Sequence, residues 1–154
     1  MVNKVRDFFR RYWGEIGLVL FVYLILRGSG DPAFAADSWQ LWLERSFSLS
    51  PHHAYLIVFV ARKTGHMVGY GLLALCLKRV LARRLPKVSP AGLFWLSWGG
   101  AALIAVADET LQVFSAYRSG VWYDILLDLL GATVALYVAG RGPFFSGSLC
   151  RKKS

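Results

Sequence analysis

Cysteine is scarce in this sequence, acids are few and no stretch repeats. Two cysteines in 154 residues make no disulfide framework. Cys76 lies in an apolar run and Cys150 in a basic tail, so both read as free thiols. No tight metal-ligand motif such as HExxH occurs, and no convincing nucleophile appears: Ser115 and Ser119 merely lie near the acids described below, and Cys76 lies away from them. Only nine acids face eighteen bases, and four of the nine, Asp108, Glu109, Asp124 and Asp128, fall within 21 residues. That clustering needs a reason.

What the sequence does have is long apolar runs. Mean hydropathy is +0.45, and charged residues make up only 18% of the chain. A membrane-crossing helix needs about 20 mostly apolar residues to span roughly 30 Å of hydrocarbon. Four stretches approach this, at 12–28, 54–77, 91–114 and 121–140. They predict an all-α, polytopic membrane protein: one domain of four transmembrane helices in a compact bundle. An outer loop spans 29–53, a cytoplasmic loop 78–90 and a cytoplasmic tail 141–154.

The net charge of +9 would suggest nucleic acid in a soluble protein. Its placement assigns topology instead. Thirteen of the eighteen bases precede the first span, fill the loop after the second or follow the fourth. Those segments share one side of a four-span protein, and the positive-inside rule makes that side the cytoplasm. The chain is therefore expected in the plasma (inner) membrane with both termini cytoplasmic, the bilayer as its partner and no nucleic acid. The basic start, the run "IGLVLFVYLIL" and "AFAA" (Ala33 to Ala36) imitate a cleavable signal peptide. Arg27, Asp31 and Pro32 lengthen and polarise the gap before that site, so the first helix is expected to be retained.

Residues 1–13 alternate bases with aromatics, as in a short interfacial helix. In the outer loop, Trp39, Trp42, Leu43 and Phe47 recur at helical spacing, with Asp37 and Gln40 placed like a capping box. That predicts an amphipathic anchor helix in the outer headgroup layer, where Trp is enriched, in preference to a substrate lid. In the second span Lys63, His66 and Tyr70 share one helix face, and Gly65 with Gly69 forms a small-xxx-small pair expected to pack against a neighbour. Asp108, Glu109 and Gln112 end the third span, Arg118 sits in the following turn, and Asp124 and Asp128 open the fourth. By topology all of these lie in the outer half. A charge at mid-membrane costs roughly 2.5–3.5 kcal/mol on insertion scales, so such groups meet one another or line a wet cavity. The acids gather where a Lys, a His and an Arg can face them.

The combination of "KxxHxxxY" (Lys63, His66, Tyr70), "DExxQxF" (Asp108, Glu109, Gln112, Phe114), then Arg118 and the "D…G" of Asp124 and Gly131, resembles the VanZ-like family over roughly residues 61–140. That family is named for a small membrane protein associated with reduced susceptibility to the glycopeptide teicoplanin. The resemblance implies a fold and a site more than a reaction. The chain departs from it at Asp128, where the family commonly has Asn.

Two functions fit the residues. One is an enzyme acting at the outer leaflet on a lipid or lipid-linked cell-envelope intermediate. His66 would then serve as acid or base, with Asp108, Glu109 or Asp124 as its partner. Lys63, Tyr70, Gln112, Arg118 and Asp128 would hold the substrate, Arg118 by a bidentate contact. The other is a non-catalytic binder of an anionic lipid headgroup or cell-wall precursor. A purely structural ion-pair network ranks lower, because buried pairs contribute little beyond apolar replacements. A transporter ranks lower too, because four helices without repeats make a small pathway. The acids and His66 include enough ligands for a divalent metal, but Lys63 competes for them, so no metal is expected; no cofactor is identified.

Overall fold

A computed structural model describes residues 2–29, 36–114 and 122–141. These form five helices and, among the described residues, no strand: α1 (Val2–Ser29), α2 (Ala36–Phe47), α3 (Pro51–Arg84), α4 (Pro90–Val113) and α5 (Trp122–Arg141). The all-helical expectation is met, and the helix expected around Trp39 and Trp42 is present as α2.

Local sequence explains the starts of α3 and α4. Each opens with Ser-Pro. The Ser50 hydroxyl accepts from the His53 amide at 3.4 Å and the Ser89 hydroxyl from the Gly92 amide at 3.1 Å. The following proline occupies the first helical position, where its missing N–H leaves nothing unsatisfied. Two expectations are corrected here. The aromatic–basic start is not a separate interfacial helix but continuous with α1, a single helix of 28 residues. The loop after α3 is only residues 85–89, because α3 runs on to Arg84.

A third correction concerns α2. The helix begins at Ala36, so Asp37 stands in its first turn, where a carboxylate suits the positive end of the helix dipole. Gln40 does not cap; its amide donates to the Glu44 carboxylate at 3.0 Å. Trp39, Trp42 and Phe47 are exposed and meet edge-on, with ring centroids 6.0 and 5.6 Å apart.

The centre of the bundle is the pairing of α3 with α5, the most extensive contact between helices. The two run parallel, with α4 returning between them. Toward their C-terminal ends the two helices meet through small residues. A methyl group on Gly131 would come within 2.0 Å of the Met67 carbonyl oxygen, and one on Gly71 within 3.1 Å of the Gly131 carbonyl. Only a hydrogen side chain admits that approach. Gly65 and Gly69, the pair expected to pack, have open space beside them. The close contact is thus made by a different glycine of the same helix. Around it Leu73, Ala74, Ala101, Ala105, Ala132 and Leu136 form a fully enclosed core, with Leu18, Phe21, Val22 and Ile25 of α1 packed on it.

Two further contacts fix the frame. Trp98 of α4 donates its indole N–H to Thr133 of α5 at 3.0 Å. At the other end of α3, Arg84 holds Glu15 of α1 through a hydrogen bond of 2.6 Å and lies over the Tyr12 ring.

Candidate functional site

Three helices bring the polar residues into one row. Lys63, His66 and Tyr70 lie three and four residues apart on α3, so they stack along one face. Asp124 and Asp128 lie one turn apart on α5, about 6 Å along its axis. Because α3 and α5 are parallel, the two series match in register.

The uppermost rung is an ion pair between the Lys63 ammonium and Asp124 Oδ1, with Asp124 buried and Lys63 partly open. One turn deeper, His66 Nδ1 and Asp128 Oδ1 are 3.1 Å apart, and both side chains are largely enclosed. Asp124 and Asp108 act on the His66 ring electrostatically from further away. Deeper again, Tyr70 stacks parallel to His66, with centroids 6.3 Å apart. Its hydroxyl is buried close to Asp108, with Asp128 and Glu109 also acting on it. From α4, Gln112 donates to Asp108 Oδ2 at 3.3 Å, and Asp108, Glu109 and Gln112 are all buried.

The structure thus brings together eight of the nine residues singled out from the sequence: Lys63, His66, Tyr70, Asp108, Glu109, Gln112, Asp124 and Asp128. Arg118 lies outside the described residues, as do Ser115, Ser119 and the tail from residue 142. The pairing is sharper than the sequence allowed. The hydrogen-bond partner of His66 is Asp128, the acid set apart as a departure from the family pattern, while Lys63 takes Asp124. Among the described residues no three His, Cys, Asp or Glu side chains converge as a metal site needs. Two polar atoms in the row have no hydrogen-bond partner there: Gln112 Oε1 and Asp128 Oδ2. Buried polar groups are seldom left unmatched, so they mark where a ligand or water binds.

One part of the site was missed. A cavity of about 270 Å³ opens above the Lys63–Asp124 pair. Its walls are Asp37 and Gln40 of α2, Tyr55, Phe59 and Arg62 of α3, and the pair itself. Tyr55 and Phe59 stack at 6.0 Å, and the Lys63 ammonium lies 5.4 Å from the centre of the Phe59 ring. Helix α2, read as an anchor, is therefore also a wall of the pocket. The signal was present: Asp37 and Gln40 lie on the side of α2 away from Trp39 and Trp42, and a pure anchor has no need of a second, differently polar face.

Helices α4 and α5 are both long and apolar enough to cross a membrane. Together with a buried row of acid–base pairs, they define a helical membrane protein with a polar interior site. Within that class the chain belongs to the VanZ/LLP1 family, whose model matches residues 16–141, most of its length. No curated protein and no solved structure matches it.

Proposed function

We propose that this VanZ-family protein crosses the plasma membrane four times, through α1, α3, α4 and α5, with both termini cytoplasmic, and acts on a lipid or lipid-linked cell-envelope intermediate in its outer-half pocket. The observation that carries the reading is the paired row itself, Lys63–Asp124 above His66–Asp128, opening into a cavity. Ion pairs at this depth add little net stability compared with apolar residues of similar volume. Ionisable groups within spans face the interior of the bundle and mark functional sites by default.

The chemistry follows from the row. His66 is the proton-transfer group, oriented by Asp128 as a carboxylate orients a catalytic imidazole. With no serine, threonine or cysteine paired to His66 among the described residues, the group it activates is water or a substrate hydroxyl. Lys63 and Asp124 form the rim against which the polar end of the substrate lies. Through its effect on an envelope intermediate, such an activity would alter susceptibility to glycopeptides such as teicoplanin.

The test is a lipid profile of membranes with the wild-type protein, with His66→Ala and without the protein. The wild-type chain should change the amount of at least one lipid or lipid-linked species. His66→Ala should abolish that change while still inserting and purifying. Full activity in His66→Ala would overturn the assignment. An unchanged profile with a lipid co-purifying with the protein would identify a binder instead.

A further inference from the structure

The cavity above the row holds charges that the row does not use. Lys63 is committed to Asp124. Arg62, beside it on α3, has no partner among the described residues, and its Nε is buried without a hydrogen bond. Asp37 lines the same cavity from α2, and it too makes no ion pair or hydrogen bond among the described residues. The two face one cavity without meeting each other. A buried guanidinium N–H left unmatched favours an anion, and a carboxylate on the opposite wall favours a cation. A ligand carrying only negative charge would satisfy Arg62 but meet repulsion from Asp37 and Asp124.

We infer that the cavity between α2, α3 and α5 receives a zwitterionic headgroup of the phosphoethanolamine class. Its phosphate is held by Arg62 and its primary ammonium by Asp37. This rests on the proposed outer-half lipid site and narrows its substrate class. A primary ammonium fits better than a trimethylammonium, because it donates hydrogen bonds to Asp37 and to the Gln40 side-chain oxygen while a trimethylammonium donates none. The stacked Tyr55 and Phe59 give the adjoining apolar wall. Exposed Trp39, Trp42 and Phe47 on the outer face of α2 keep that helix at the level of lipid headgroups.

The full chain, purified in a non-ionic maltoside, is titrated calorimetrically with four probes: dihexanoyl phosphatidylethanolamine, phosphatidylglycerol and phosphatidylcholine, and free O-phosphoethanolamine. Phosphatidylethanolamine should bind about tenfold or more tightly than the other two lipids, the size of one charge-assisted hydrogen bond. Asp37→Asn should erase that preference while retaining phosphate binding, and Arg62→Gln should weaken all three lipids about tenfold. Unfolding midpoints matching the wild type identify a binding effect rather than a loss of fold. Equal affinity for phosphatidylethanolamine and phosphatidylglycerol, or a preference that survives Asp37→Asn, would overturn the zwitterion assignment and leave the outer-half site standing. Binding of none of the lipids would remove both. Free O-phosphoethanolamine binding as tightly as the lipid would overturn the lipid source and make the ligand a soluble one.

Discussion

The N-terminal and C-terminal halves of the α3–α5 contact use the same two helices for opposite purposes. In the N-terminal half the helices face each other through Lys63–Asp124 and His66–Asp128. In the C-terminal half they meet backbone to backbone at Gly71 and Gly131 and close over Ala74, Ala132 and Leu136. In lipid there is no hydrophobic drive between apolar helices, so close packing of small residues supplies cohesion. The C-terminal half therefore holds the register that the N-terminal half needs. A bundle can carry unmatched polar atoms such as Asp128 Oδ2 near its mouth only because its base is tight.

The largest break in that comparison should come from the base. Gly131→Ala puts a methyl group against the Met67 backbone, and neither helix can yield without separating. Overpacking of this kind should lower stability by about 3 kcal/mol, measured as a shift in the denaturant midpoint of the detergent-solubilised protein. It should also misalign the rungs above and remove activity. A variant of normal stability would show that the register is set elsewhere.

A smaller effect is expected at the rim. Lys63→Met strands Asp124, and since Lys63 is partly exposed the loss should be about 1–2 kcal/mol. Adding Asp124→Leu should restore most of that stability without restoring activity. If the double variant remains as unstable as the single one, the pair contributes cohesion after all and the two halves are less distinct than described.

The smallest effect belongs to Gly69→Ala, where a methyl group meets open space. Stability should stay within about 0.5 kcal/mol of the wild type. Gly69 and Gly131 thus form a matched pair of substitutions, identical in chemistry and far apart in outcome. A large loss at Gly69 would mean that this face of α3 is covered by something in the membrane.

These glycines also mark how far the sequence could be read. Helical class, the helix over Ala36–Phe47 and the shared level of the polar residues on α3 and α5 follow from run length, spacing and chain direction, all of which are one-dimensional. Rotation about the helix axis is not. The Gly65–Gly69 spacing is as good a packing signal as any, yet the contact falls at Gly71, on another side of α3. For the same reason the spacing offers Asp108, Glu109 or Asp124 as partners for Lys63 and His66, whereas the parallel pairing of α3 and α5 gives His66 to Asp128 and Lys63 to Asp124. Arg62 was overlooked because its neighbour Lys63 completed the family-like pattern, and only the position of α2 over the cavity gives it a role.

The parallel pairing also imposes an order on synthesis. The partners of Lys63 and His66 lie 61 and 62 residues later in the chain. At roughly 5–20 residues per second, α5 emerges from the ribosome about 3–12 s after the middle of α3. For that interval Lys63 and His66 lack the partners they hold in the finished bundle, and α4, made in between, brings Asp108 and Glu109 before Asp124 and Asp128. Of the four acids in the row, those on α4 are thus the first that the growing chain can offer to Lys63 and His66.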